Sequence, residues 1–346
     1  MPIQGIPKPA VPYGSLIVVS GATGFIGSHV VDQALAAGYR VRGTTRNLKK
    51  GAWEVNHFKE KYGEGLFELC EVADMQLDSA FNEAVKGASG FIHVANDMTG
   101  SRDADKAISR AVDGVLNAAK ASYTASVRRF VFTSSSFAVT LPKPGVRFTL
   151  HENTYNEEAV EMAKGVDPPG DAVYAASKVL AERALFNWAK ENAPDMVINC
   201  LCPNGNIGPI ISTANQGFPT STIFVDKAWH HDYEAMKDAP PQHYINVQDD
   251  AKLHIIALAD PEVVSERVFG TAGPFNMQDI VECLRKLFPQ KHWDDFPDDK
   301  QDLSTFEPRE RAESLLQKAY GHGHTSLLES VRDNARDLAR SEGLSV

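Results

Sequence analysis

Long apolar runs are missing from this chain. No stretch approaches the roughly 18 apolar residues of a membrane-spanning helix, and the Pro- and Gly-rich start, Met1 to Gly14, holds no run of signal-peptide length. A cytoplasmic protein without a membrane partner is therefore expected. Cysteine is scarce: Cys70, Cys200, Cys202 and Cys283 fit no zinc-ligand spacing, and nothing about them demands an oxidising compartment. Three of them (70, 200 and 202) lie in apolar, strand-like runs, where cysteine serves as a small core residue. A basic stripe is also absent. The formal net charge is -10 with both signs scattered, which argues against nucleic acid as a partner and reads as solubility. There is no internal repeat and no low-complexity tract. What remains, 43% hydrophobic and 23% charged residues over 346 positions, is a folded chain long enough for one large α/β domain with a smaller lobe.

The order of elements narrows the fold. Leu16-Ile17-Val18-Val19 is a short apolar run of the kind that buries both faces in a parallel sheet. Residues 25–37 carry Phe25, Ile26, Val30, Val31 and Leu35 at helical spacing, and 39–45 read as a second strand. The alternation continues with strand 66–72, helix 78–85, strand 91–95, helix 104–122, strand 130–133, helix 172–192 and strand 196–201. Such alternation predicts a Rossmann-type, doubly wound parallel sheet whose ligands gather at the carboxyl ends of the strands. We expect an N-terminal arm over 1–14, a dinucleotide-binding domain over 15–202, and a mainly substrate-binding lobe over 203–346 with some segments returning to the sheet. Segment 203–245, rich in Gly, Pro, Asn and Thr, reads as pocket-lining loops, and 293–302 as a surface loop. A terminal amphipathic helix carries Leu327, Val331, Ala335 and Leu338 on one face.

Between the first strand and first helix stands Gly21-Ala22-Thr23-Gly24-Phe25-Ile26-Gly27. Glycine suits a turn that must admit a pyrophosphate, because a Cβ would collide with it, and the free amides at the new helix's start attract phosphate. Gly21, Thr23, Gly24, Phe25, Ile26 and Gly27 are the expected contacts. The second strand ends in Thr44-Thr45-Arg46-Asn47, with no carboxylate before Glu54. A carboxylate there would select a ribose 2′-hydroxyl, whereas the Arg46 fork suits a 2′-phosphate, with Lys50 nearby. NADPH is therefore expected over NADH.

Tyr174 and Lys178, four residues apart on a predicted helix, share one face. A neighbouring ammonium lowers the pKa of a phenol and readies it for proton transfer. The spacing is common by chance, so its weight comes from chain order. Thr133-Ser134-Ser135-Ser136 ends the strand that begins at Phe130, and spacing leaves open which serine faces a substrate.

Taken together, the glycine turn at 21–27, the strand-end serines and the Tyr174-x-x-x-Lys178 pair resemble the extended short-chain dehydrogenases/reductases. Within them, the runs Val18–Val31, Tyr39–Arg46, Arg129–Ser135 and Val173–Lys178 resemble the dihydroflavonol-reductase-like branch, and especially the fungal NADPH-dependent aldehyde and ketone reductases. The resemblance implies Ser135 as the carbonyl-polarising serine, Tyr174 as proton donor, and Lys178 as its pKa modulator and ribose ligand. It also implies that Asp74 and Met75 flank the adenine, that Val94, Ala95 and Thr133 pass along the dinucleotide, and that Pro203 faces the nicotinamide amide. Phe137, Asn204 and Gln242 are the expected substrate contacts. Asn96-Asp97, a polar pair at the pocket mouth, and residues 203–230 depart from the family pattern and bear on the substrate.

The expected activity is transfer of a hydride to a small-molecule aldehyde or ketone, by a monomer or homodimer that binds neither nucleic acid, membrane nor metal. One rival is an NAD-dependent nucleotide-sugar epimerase or dehydratase, which wants a 2′-hydroxyl ligand where Arg46 stands. The other is a non-catalytic NADP-sensing protein, which would lack part of the Ser/Tyr/Lys set. Several residues have plainer readings. His93 is expected as a core histidine, Gln242 and His243 as loop residues beside the pocket, and Phe218, Phe224 and Trp229 as packing.

Overall fold

The computed structural model describes residues 2–96, 100–297 and 300–345. In chain order, β1 (Leu16–Ser20), α1 (Phe25–Ala36), β2 (Arg40–Thr45), α2 (Leu48–Tyr62), β3 (Phe67–Glu71), β4 (Gly90–His93), α3 (Ala104–Thr124) and β5 (Arg129–Thr133) come first. They are followed by β6 (Arg147–Leu150), α4 (Glu157–Met162), α5 (Gly170–Asn192), β7 (Val197–Pro203), β8 (Gly205–Ile207), α6 (Thr213–Gln216), α7 (Ile223–Trp229), β9 (Gln242–Asn246) and α8 (Val247–Ala259). The chain ends with β10 (Arg267–Gly270), β11 (Gly273–Phe275), α9 (Met277–Leu287), β12 (Leu303–Phe306), α10 (Arg309–Tyr320), α11 (Leu327–Asn334) and α12 (Arg336–Ser341). Seven parallel strands form the main sheet in the order β10-β7-β5-β4-β1-β2-β3. This is the doubly wound α/β fold expected from the alternation. The chain moves outward from β1 to β3 and then returns to the other side of β1, so the crevice that such a reversal opens lies between the ends of β1 and β4.

Both faces of the sheet are covered, which is why β1 is apolar at consecutive positions. Ile17 and Val19 pack into a core with α1, α8 and α10, while Val18 points into the opposite core with α3 and α5. The N-terminal arm is part of the first of these cores. Ile3, Ile6 and Val11 are buried, and the amides of Gly5 and Ala10 donate to the carbonyls of Ala319 and Ala259. Beyond Pro203 the chain contributes both to a small sheet, β11-β9-β8, and to the main one, through β10.

Four expectations are corrected. Residues 78–85 form successive turns rather than a helix. Most of their hydrogen bonds span three residues, and they fold Phe81, Ala84 and Val85 inward without a regular helical ladder. Segment 203–245 contains β8, α6, α7 and most of β9 instead of loops alone. In 293–297, Trp293 and Phe296 are buried against Trp229 and Tyr233, so this irregular stretch is anchored; Asp298 and Asp299 lie outside the described residues. The terminal helix breaks into α11 and α12 at Ala335, with Val331, Ala335 and Leu338 on the buried side.

Buried ionisable groups set the pH range of this fold. Burial pushes His29 and His254 down to about 4 and His93 to about 3. It pushes Glu54 and Asp250 up to about 8. The unfolded chain takes up protons on the three histidines as pH falls from about 6.5 to 4, while the fold keeps them neutral, so stability is lost on acidification. The two carboxyls act oppositely. They hold protons in the fold that the unfolded chain releases above about pH 4, so stability also falls as pH rises towards 8. With three groups against two in the overlap, thermal unfolding midpoints are expected to peak near pH 6.5 and decline on both sides. Midpoints that rise steadily from pH 6.5 to 8 would contradict this assignment.

Candidate active site

The glycine turn is built for close approach. Gly21 has φ +66°, and a Cβ on it would lie 2.9 Å from the Ala95 Cα at the end of β4. A Cβ on Gly27 would lie 2.1 Å from the Gly21 carbonyl oxygen, so only glycine lets α1 start this tightly against the turn. No side chain caps α1 at Gly24, which leaves the first-turn amides pointing into the crevice without a helical partner. These features fit a pyrophosphate. Ala95 is held by its amide, which donates to the Ser20 hydroxyl at 3.1 Å, while the Ser20 hydroxyl and His93 Nδ1 share a hydrogen bond at 3.0 Å. His93 is the neutral core histidine expected, stacked on Phe130 and Phe132 and tilted against Phe91.

Arg46 and Lys50 are exposed beside the end of β2, and among the described residues no hydrogen bond or ion pair engages the Arg46 guanidinium. Asp74 is exposed and receives the Gln76 amide, while Met75 packs beneath Gly114 of α3. Val94 is partly buried beside Ala95. Thr23 is met from the C-terminal lobe, where Gln216 Nε2 donates to the Thr23 carbonyl at 3.3 Å and to Ser28 Oγ at 3.0 Å.

At the carboxyl end of β5 the three serines take different directions. Ser134 turns inward, its hydroxyl donating to the buried carboxylate of Glu182. Ser135 and Ser136 face a cavity of about 320 Å³. Ser135 Oγ accepts the Phe137 amide at 3.1 Å, which fixes the serine at the start of a short turn. Tyr174 borders the same cavity, its ring edge-on to Phe137 at 6.1 Å. Pro203, Asn204 and Gln242 complete the expected set on its wall, joined by Asn96; Asp97 lies outside the described residues. Phe218 and Phe224 pack against the lobe's core and Trp229 lies within it.

Lys178 stands one helical turn below Tyr174, only 2% exposed, its Nζ donating to the Thr133 carbonyl at 2.8 Å. The Thr133 hydroxyl donates to His254 Nε2 at 2.7 Å, and His254 Nδ1 donates to the Asp250 carbonyl at 2.8 Å. Burial pushes the Lys178 ammonium down to about 8, which leaves it charged at neutral pH. The Tyr174 phenol is raised by burial, with the hydrogen-bonding contact to Ser135 pulling the other way. A lowered phenol was expected from the neighbouring cation. In this structure desolvation raises it instead, and the cation stands off, its Nζ 6.0 Å from the ring centre and engaged by Thr133. Glu182, Gln216 and His254 escaped the sequence reading. Glu182 had a signal, continuing the Tyr174–Lys178 face by another four residues; Gln216 had none, since only the fold brings it to Thr23.

Residues 17–269 match the family described as NAD dependent epimerase/dehydratase. The chain belongs to that family. It is 39% identical over 336 residues to aldehyde reductase 2 of Sporidiobolus salmonicolor, a match spanning 95% of this chain and 97% of that protein. It is 35% identical over 326 residues to the ketoreductase adrE of Penicillium rubens, across 92% and 95% of the two chains. Gre2 of Candida albicans, solved in complex with NADPH, is 25% identical and superposes with a TM-score of 0.81 over 95% of this chain and 99% of that one. This epimerase/dehydratase-family chain thus has the extended short-chain dehydrogenase/reductase architecture that its motifs imply.

Proposed function

We propose that the protein is an NADPH-dependent carbonyl reductase acting on an aldehyde or ketone. The observation that carries this reading is the convergence of Ser135 and Tyr174 on one cavity wall, with the charged Lys178 buried behind them at the carboxyl end of the sheet. The aldehyde reductase and ketoreductases among its relatives support the reaction class.

Bound NADPH supplies the hydride. The protein's own groups do the remaining work. Ser135 and Tyr174 offer hydroxyl donors to a substrate oxygen, and such donors act most strongly as negative charge builds there. Because burial raises the Tyr174 phenol, it holds its proton at neutral pH and can deliver it to a forming alkoxide. Lys178, charged and seated between Thr133 and Tyr174, supplies the field that stabilises the phenolate left behind. Phe25, Ile26 and Gly27 offer backbone amides to the pyrophosphate, and Arg46 with Lys50 offers cations to a 2′-phosphate.

The Arg46 assignment has its own test. Replacing Arg46 by Ala should raise the KM for NADPH about 10- to 100-fold, the loss expected of charge-assisted hydrogen bonds, and leave that for NADH nearly unchanged. Carbonyl-dependent loss of NADPH absorbance, run in parallel with NADH, checks both. Equal losses for the two cofactors would remove Arg46 from its role, and no carbonyl-dependent loss in the wild type would remove the reductase reading.

A further inference from the structure

The cavity beside Tyr174 has an uneven electrostatic lining. Seventeen described residues surround it, and a single one, Asp171, bears a formal charge. Its inner wall is apolar at Phe137, Val173 and Pro203, while Asn96, Ser101, Ser221 and Gln242 offer uncharged hydrogen-bonding groups. None of these could neutralise a carboxylate or phosphate.

The start of α5, at Gly170, faces the same cavity and would by itself attract an anion. Asp171 cancels that attraction. It lies in the first turn, its Oδ1 accepts the amide of Ala172 at 2.8 Å, and its negative charge opposes the positive end of the helix. Arg102, which follows the lining residue Ser101, is engaged elsewhere. It pairs with the Asp167 carboxylate at 2.9 Å and donates to the carbonyls of Asp167 and Pro168. Lys178 is on the far side of the Tyr174 helix turn, bonded to Thr133.

We propose that Asp171 makes this a site for uncharged carbonyl compounds and discriminates against carbonyl compounds that carry a carboxylate or phosphate. The inference rests on the reductase reading and adds a charge filter to it. Two charges within about 8 Å across a partly wet site repel enough to change relative affinity several-fold, and rejection of the wrong ligand is as effective as attraction of the right one.

The test compares two aldehydes of matched shape, methyl 4-formylbenzoate and 4-formylbenzoate, with NADPH. In the wild type the ester is expected to exceed the carboxylate in kcat/KM by about tenfold, mainly through KM, with the gap shrinking as salt rises. Asp171→Asn keeps the hydrogen bond to the Ala172 amide and removes the charge, and should narrow the ratio to about twofold. Asp171→Lys should invert it. Each variant is judged by the ratio of its own two substrates, so a general loss of activity does not disturb the reading. A wild-type ratio near unity, or a ratio that Asp171→Asn leaves unaltered, would overturn the charge filter while leaving the reductase reading intact. No NADPH consumption with either aldehyde would overturn the reductase reading, and this inference with it.

Discussion

Tyr174→Phe is expected to lower kcat by about 100- to 10,000-fold, the span attributed to a positioned general acid, while NADPH binds as tightly as before. Phenylalanine keeps the ring that packs edge-on to Phe137, so the cavity wall survives. What disappears is the hydroxyl in contact with Ser135, the group able to carry a proton to the substrate oxygen. Lys178 stays bonded to the Thr133 carbonyl, and its ammonium then has no phenolate to stabilise. Steady-state kinetics together with fluorescence titration of NADPH separate the two effects. Near-normal turnover would remove Tyr174 from the chemistry. A large loss of NADPH affinity would mean that the tyrosine serves mainly in cofactor binding.

The second large effect concerns stability. Glu182, fully buried on α5, accepts a hydrogen bond at 2.8 Å from Arg267 of β10, which is itself nearly buried, and also accepts the Ser134 hydroxyl. Arg267 further donates to the carbonyls of Glu152 and Thr154 and stacks on Tyr155 at 4.0 Å. Glu182→Gln leaves that guanidinium charge buried without its counter-ion, a change that costs about 3–5 kcal/mol. Chemical denaturation should show a lower midpoint and an unfolding free energy reduced by that amount. Replacing both partners by Met removes the stranded charge along with the pair, so the double variant should regain much of the loss. A Glu182→Gln protein as stable as the wild type would mean the pair is not sequestered as described. Because Ser134 adjoins Ser135, the single variant should also lose activity.

Much of this was legible in the chain because the informative residues are local. Ile17, Val18 and Val19 announce a strand buried on both faces, and the glycines at 21, 24 and 27 announce a turn whose contacts at Gly21 and Gly27 admit no side chain. The long helix carrying Tyr174 and Lys178 could be read from its own composition. What escaped has identifiable causes. Helix α2 was not foreseen although Asn47 caps it and Gly63 ends it, because its inward positions are Gly51, Glu54 and Phe58 and the apolar period is broken by a buried acid. Residues 78–85 carry helical spacing but lack a regular ladder. The direction of each strand-end serine depends on Glu182, Phe137 and the cavity, which are assembled from three separate elements. The balance of forces on the Tyr174 phenol likewise depends on burial, which spacing does not report.

The central claim is hydride delivery to a carbonyl carbon beside Tyr174. It is tested most directly by supplying NADPH deuterated at the transferring position of nicotinamide C4 and examining the alcohol by mass spectrometry and NMR. The account predicts a deuterium on the carbinol carbon, and the same label in the much slower product of Tyr174→Phe. Alcohol without label, or oxidation of NADPH with no alcohol formed, would contradict it.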